Sequence, residues 1–253
     1  MSESIKKVEE LYNKRISSSK DGVQAAGQWG SKDFVPMICK EIKEKISIKK
    51  SSRVLELGCG SGVLGNGVFK NHEIEYVGID LSSQMLSYFK NNLELNSGNL
   101  FQGLTNEIPF KENIFDLVII NGVTMYFDNE KNLEETINEI IRVAKKKSIV
   151  FIGENITQEV FPYEFVWFNK LSKNKQKIAK HYIQFRKKIA RFKPLAGKWE
   201  DSYNVISIKL IKKLFGKNAS IQFSKSSAYT IKEKMTKNYL GNRRMDIVIE
   251  LKG

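Results

Sequence analysis

One stretch constrains this 253-residue chain more than any other: Arg53-Val54-Leu55-Glu56-Leu57, followed at once by Gly58-Cys59-Gly60-Ser61-Gly62. The first five residues form a short apolar run of the kind that fills a strand buried on both faces. The next five cannot prolong it. Glycine at alternate positions lets the backbone turn tightly and approach a ligand more closely than a Cβ would allow.

The chain around this junction alternates short β-branched runs with amphipathic segments. Strands are expected at 75–79 (EYVGI), 114–120 (IFDLVII) and 148–153 (SIVFIG), and helices at 82–95 and 129–145. This rhythm indicates a parallel sheet in an α/β fold. Upstream, 3–16 reads as a helix with Ile5, Val8, Leu11 and Tyr12 on one face. A small-residue stretch, Gly22 to Gly30, follows. A second helix over 33–46 has Pro36 in its first turn, where a missing N–H costs nothing. Residues 155–203 break the alternation with ten aromatic residues set among lysines, and one or two helices are expected there. A helix near 207–215 and strands near 219–226 and 244–251 close the chain. A hairpin-like pairing of these two strands would set the last one antiparallel to the rest.

Charge is unevenly placed. The net value is +14, but residues 51–154 carry −5, whereas 155–203 carry +7 and 204–253 carry +8. Such a basic half suits an anionic partner: nucleic acid, a phosphorylated small molecule or a membrane surface. Only 7 of the 42 basic side chains are arginine, the residue suited to bidentate phosphate and base recognition, so a general lysine bias outweighs nucleic-acid binding. Two cysteines and two histidines exclude a disulfide framework and a multi-histidine metal site, and no metal is expected. The first twenty residues have no apolar signal region, and no run approaches a membrane span, so a reducing, cytoplasmic setting is expected.

Two ligand classes sit over a strand–glycine loop–helix junction: dinucleotides and S-adenosylmethionine. The dinucleotide fingerprint places its third glycine where Val63 stands; here it comes one residue early, at Gly62. Asp80, at the end of the next strand, supplies a carboxylate able to accept both hydroxyls of a ribose. The competing reading of Asp80 is an N-cap for the helix beginning near Ser82.

The runs VLELGCGSG (54–62) and YVGIDLSSQML (76–86) resemble the first two motifs of class I S-adenosylmethionine-dependent methyltransferases. IPF (108–110), FDLVIINGVTMYF (115–127) and NEIIRVAKKKSIVFIGE (138–154) resemble the later motifs of that family. The resemblance covers about 50–154. It implies a Rossmann-like seven-stranded sheet of order 3-2-1-4-5-7-6, strand 7 antiparallel, with helices on both faces. It further implies an N-terminal helical lid over 1–50, a methyltransferase domain over 51–253, and 155–203 as a helical substrate cap inserted after strand 5. S-adenosylmethionine would be the cofactor and S-adenosylhomocysteine the product.

By the same resemblance, Gly58, Cys59, Gly60 and Gly62 would pass beneath the methionine part of the cofactor, with Glu56 an acidic anchor below the loop. Asp80 would hold the ribose, Leu81 and Met85 would pack on the adenine, and Asn121 and Gly122 would lie near the sulfonium. Trp29 would close over the site. Many relatives carry a carboxylate for the adenine amino group where this chain has Leu104, which leaves that contact to Thr105, Asn106 or backbone.

Methyl transfer is an in-line displacement served by positioning and desolvation; an oxygen acceptor also needs a base. Tyr126, Glu154 and His181 are the acceptor-side candidates, each with a structural alternative: packing, capping and surface exposure respectively. Similarity to small-molecule members, with the lysine-rimmed aromatic insertion, points to an anionic or glycosylated small molecule such as a sugar or nucleotide-sugar. The alternatives are an RNA or protein methyltransferase using the basic half, and a binding module that retains the fold. Against RNA, Asn121-Gly122-Val123-Thr124 lacks the Pro-Pro-aromatic signature of base N-methylation.

Overall fold

The computed structural model describes residues 3–27, 32–127, 129–156, 208–227 and 244–253. Seven strands form one sheet of order β3-β2-β1-β4-β5-β7-β6: β1 (Arg53–Leu57), β2 (Glu75–Asp80), β3 (Gly98–Gln102), β4 (Phe115–Asn121), β5 (Ala144–Ile156), β6 (Ala219–Lys225) and β7 (Arg244–Leu251). β7 runs antiparallel to both its neighbours, and the other described pairings are parallel. Order and direction are those the resemblance implies.

Period-two alternation separates the strand side chains into two cores. Val54, Leu117, Ile119 and Phe151 face one cluster, which also holds Ile38, Cys39 and Ile42 of α3 (Val35–Lys45), Val68 and Phe69 of α4 (Val63–Phe69), and Phe89 of α5 (Ser83–Asn91). Leu55, Leu57, Val118, Ile120, Val150 and Ile152 face the other, against Leu133, Ile137 and Ile140 of α6 (Glu130–Val143) and Ile211 and Phe215 of α7 (Ile208–Phe215). Two covered faces explain why these strands read as continuous apolar runs.

The N-terminal segment divides. α3, with Pro36 in its first turn, belongs to the core. α1 (Glu3–Ser18) has no fully buried residue and lies against α5, where Ser17 Oγ donates to Gln84 Oε1 at 2.8 Å. The small-residue stretch contains a short helix, α2 (Gly22–Ala26), which sequence periodicity does not reveal. Asp21 caps it by accepting from Gln24 N at 2.8 Å, and Gly27 at φ 70° ends it.

Several boundaries differ from expectation; α6 ends at Val143 rather than 145, and β5 starts at Ala144 rather than 148. α5 stops at Asn91 rather than 95, because Asn92 turns its amide onto Tyr88 O (2.8 Å) and its own carbonyl accepts from Asn66 Nδ2 (2.7 Å). β3 was not legible as a strand because it is an edge strand whose side chains are exposed or half-buried. β5 runs past 153 to Ile156, through a bulge discussed below. The 155–203 insertion falls, from 157 onward, outside the described residues. Among the described residues, no helix is long and apolar enough to cross a membrane.

Candidate active site

The carboxyl ends of β1, β2 and β4 open into a pocket of about 1160 Å³, counting the part open to solvent. Its floor is the loop after β1. Gly58 (φ 73°) donates from N to Ile79 O at 2.7 Å, which ties the loop to β2. The three glycines have different reasons. A Cβ on Gly58 would strike the Val123 side chain, and one on Gly62 (φ 80°), the N-cap of α4, would strike the Phe89 ring. A Cβ on Gly60 (φ 51°) would meet nothing nearer than Asp80 Oδ2 at 4.0 Å. Gly58 and Gly62 are therefore required by packing, and Gly60 leaves room in a cradle where a ligand can lie. Gly62 itself does not line the pocket, though Ser61 and Val63 on either side of it do.

Asp80 closes this floor. Its Oδ2 accepts from Gly60 N at 2.7 Å and its Oδ1 from Ser82 N at 2.8 Å. The N-cap of α5 is Ser82, whose Oγ accepts from Met85 N at 3.1 Å, so capping is not what Asp80 is for. A carboxylate offers about four acceptor sites, so two remain for a diol. Burial raises the Asp80 carboxyl above its ordinary value, against the lowering pull of the backbone N–H groups. Glu56 lies deeper, 3% exposed, and accepts from Tyr76 OH at 2.6 Å. Burial pushes its carboxyl up to about 8, with Asp80 adding to the rise and Tyr76 opposing it.

Leu81, Met85, Leu104 and Thr105 form one wall, with Cys59 beside the loop and Asn121 and Gly122 at the end of β4. Thr105 Oγ1 lies 3.1 Å from Thr136 Oγ1, and Asn106 Nδ2 donates to Glu135 Oε2 at 2.9 Å. Tyr126 ends a 3-10 turn (Thr124–Tyr126) and also faces the pocket. Its hydroxyl accepts from Tyr12 OH at 2.8 Å, with the two rings edge-to-face at 5.6 Å. Burial raises the Tyr12 phenol well above its ordinary value, with Tyr126 adding to the rise.

Tyr12 belongs to α1, which also places Ile5, Val8 and Glu9 on the pocket. These residues, with Asn132 and Thr136 of α6 and Ser61, Val63, Leu64 and Val123 around the loops, are among those sequence reasoning missed. The apolar stripe Ile5, Val8, Tyr12 was legible in the sequence; that these particular side chains line the pocket was not, although the resemblance made 1–50 a lid. Glu154 is not among the lining side chains. It is 3% exposed, accepts from Ser226 Oγ, and is paired with Arg244 at 3.3 Å. The expected acceptor-side position is corrected: Glu154 sits at φ 58° on a bulge, which turns it away from the rim. Trp29 and His181 lie outside the described residues. Among the described residues, no group of three or more His, Cys, Asp or Glu side chains could hold a metal.

The donor set fits S-adenosylmethionine: an open glycine cradle, a carboxylate with free acceptor sites beside it and a second, buried carboxyl lining the same pocket. A family model described as a methyltransferase domain matches residues 48–218. An uncharacterized methyltransferase of Schizosaccharomyces pombe is 27% identical over 168 residues, covering 65% of this chain and 62% of that protein. A calmodulin-lysine N-methyltransferase of Arabidopsis thaliana is 27% identical over 166 residues, covering 62% of this chain and 51% of that protein. The match thus spans less than two thirds of either relative. The fold is also that of the magnesium protoporphyrin IX methyltransferase of Synechocystis with bound S-adenosylhomocysteine, at a TM-score of 0.61 and 12% identity, covering 99% of this chain and 100% of that one. Sequence, sheet order and pocket agree: the chain belongs to the class I S-adenosylmethionine-dependent methyltransferases.

Proposed function

We propose that this enzyme transfers the methyl group of S-adenosylmethionine to a small polar molecule, with a sugar or the sugar part of a nucleotide-sugar as the acceptor class. The observation that carries this reading is the cover. α1 lies along the pocket and is joined to the opposite side by the Tyr12–Tyr126 hydrogen bond. An acceptor reaching this pocket must fit beneath a helix, which favours a small molecule over a folded RNA. The described lining residues include Glu9, Glu56 and Asp80 and neither lysine nor arginine, which favours an uncharged hydroxyl over a phosphate at the point of transfer.

In this reading Gly60 and the loop around it carry the methionine part of the cofactor. Asp80 holds the ribose diol, Leu81, Met85 and Leu104 pack on the adenine, and Thr105 contributes the polar contact there. Asn121, Gly122 and Tyr126 border the methyl group, and Tyr126 orients the acceptor. The cofactor supplies an electrophilic methyl on a good leaving group. The protein supplies alignment and exclusion of water, and the proton that a hydroxyl acceptor loses on methylation passes to a general base or to water.

A protein or RNA acceptor is the second reading, and the +15 carried by residues 155–253 favours it. Incubation with methyl-labelled S-adenosylmethionine and total cell extract, followed by separation of solutes, glycans, protein and RNA, tests both. Label in the solute or glycan fraction is the expected result. Label lost on treatment with protease or ribonuclease would overturn the small-molecule reading.

A further inference from the structure

Beneath the loop that follows β4 lies a buried polar network that touches neither the glycine cradle nor Asp80. It begins at the β5 bulge. The register between β5 and β7 shifts between Ile152 and Asn155, with Glu154 at φ 58° in the left-handed region. A bulge inserts an unpaired residue and re-aims its neighbours. Here it buries the Asn155 side chain completely. Its amide donates to Ile152 O at 2.6 Å and to Met245 O at 3.3 Å, and its Oδ1 accepts from Thr124 Oγ1 at 2.7 Å.

Thr124 is itself 2% exposed and opens the turn that ends in Tyr126. Two more links join the same segments. Gly122 N donates to Gly153 O at 2.9 Å, and the Asn121 side chain fills the space a Cβ on Gly153 would need. The far side of the bulge is fixed as well: Glu154 N donates to Asp246 Oδ1 at 3.0 Å, and Lys45 Nζ lies 2.7 Å from Asp246 Oδ2.

We propose that Thr124 and Asn155 are positioning residues for methyl transfer: the bulge holds the Asn121–Tyr126 loop at the height where it meets the transferring methyl group. This rests on the reading that the cofactor's methyl points at that loop. The argument is one of satisfiability. Asn155 spends its donors on two main-chain carbonyls, so its oxygen can aim only at the Thr124 hydroxyl. In a buried site, a hydroxyl removed from one partner leaves the other unsatisfied, and the loop must shift to relieve it. Both side chains are buried and neither lines the pocket.

The test uses the full chain and two probes. S-adenosylhomocysteine reports on the cradle and the adenosine contacts. Sinefungin, which carries an aminomethyl group in place of the methylsulfonium, reports in addition on the loop. Thr124→Val keeps shape and net charge but removes the hydroxyl. Asn155→Ala removes the acceptor. Thr124→Ser keeps the hydroxyl. Expected by calorimetry is S-adenosylhomocysteine affinity within about threefold of wild type for all three, with sinefungin affinity lowered about tenfold in Thr124→Val and Asn155→Ala and retained in Thr124→Ser. Unchanged affinity for both probes in all variants would overturn the proposal. So would equal losses for both probes with a matching fall in melting temperature, which marks a purely structural role. A wild-type chain that binds neither probe would remove the cofactor-site reading itself, a result distinct from either.

Discussion

Gly60 and Gly62 are two residues apart and both have positive φ, yet alanine at each should fail in opposite ways. At Gly62 a Cβ would enter the Phe89 ring, closer than real side chains approach. The left-handed conformation costs a non-glycine residue about 1–2 kcal/mol, and overpacking a core adds about 1–3 kcal/mol. Gly62→Ala should therefore lose about 3 kcal/mol, and with about 2–4 °C per kcal/mol for a chain of this size the melting temperature should fall by roughly 10 °C. At Gly60 the nearest atom to a Cβ is 4.0 Å away. Its conformational cost of about 1–2 kcal/mol is partly offset by about 0.4–1 kcal/mol of reduced unfolded-state entropy. Gly60→Ala should melt within a few degrees of wild type, but its methyl group occupies the cradle. Affinity for S-adenosylhomocysteine should drop at least tenfold, or about 1.4 kcal/mol. Gly62→Ala, assayed well below its melting point, should bind within about threefold of wild type. Thermal unfolding and calorimetric titration of the two variants decide the matter. A Gly60→Ala protein that binds normally would show that the ligand does not cross this residue, and the cradle would lose its central support.

Asp80→Ala should weaken S-adenosylhomocysteine binding by more than tenfold in the same titration, because it removes the carboxylate proposed to hold the diol and also frees Gly60 N and Ser82 N. Glu56, with its carboxyl at about 8 in the folded chain and an ordinary carboxylate value when unfolded, binds more protons folded than unfolded between those limits. Its contribution to stability is therefore present at low pH and lost as pH rises from about 4.5 to 8; Glu56→Gln should flatten the pH dependence of denaturant midpoints over that window. A cationic ligand above Glu56 favours its ionised form, so S-adenosylmethionine affinity should rise from pH 6 to 8, with proton release seen in buffers of different ionisation enthalpy. Lys45→Met leaves the buried Asp246 carboxylate without its ammonium partner and should cost about 3 kcal/mol in urea titrations. Tyr12→Phe removes the donor to Tyr126 and should speed amide exchange in α1 while leaving exchange in β1 and β4 unchanged.

The sequence by itself determined the strand, the loop and the acidic residue that follows, because these are local. A β-branched run, alternate glycines and a strand-end carboxylate carry their geometry within a few residues, and Arg53–Leu57 and Arg244–Leu251 are strands within the expected bounds. The sheet order was legible only through the family resemblance, since periodicity gives a strand's faces but not its neighbours. Tertiary structure decided the rest. The stripe Ile5, Val8, Tyr12 shows that α1 has an apolar face. The resemblance implied a lid over 1–50, but only folding reveals which face of α1 meets the pocket and that Tyr12 meets Tyr126, 114 residues away. Glu154 reads as a rim residue if β5 alternates regularly; one bulge changes the phase and buries it beside Arg244. Likewise Gly60 and Gly62 are the same residue in one motif, and the Phe89 ring of another helix makes the second a packing requirement and leaves the first open to a ligand. Local spacing fixes what the backbone can do at a position. What each side chain meets depends on elements distant in sequence, and in this chain those encounters shape the pocket.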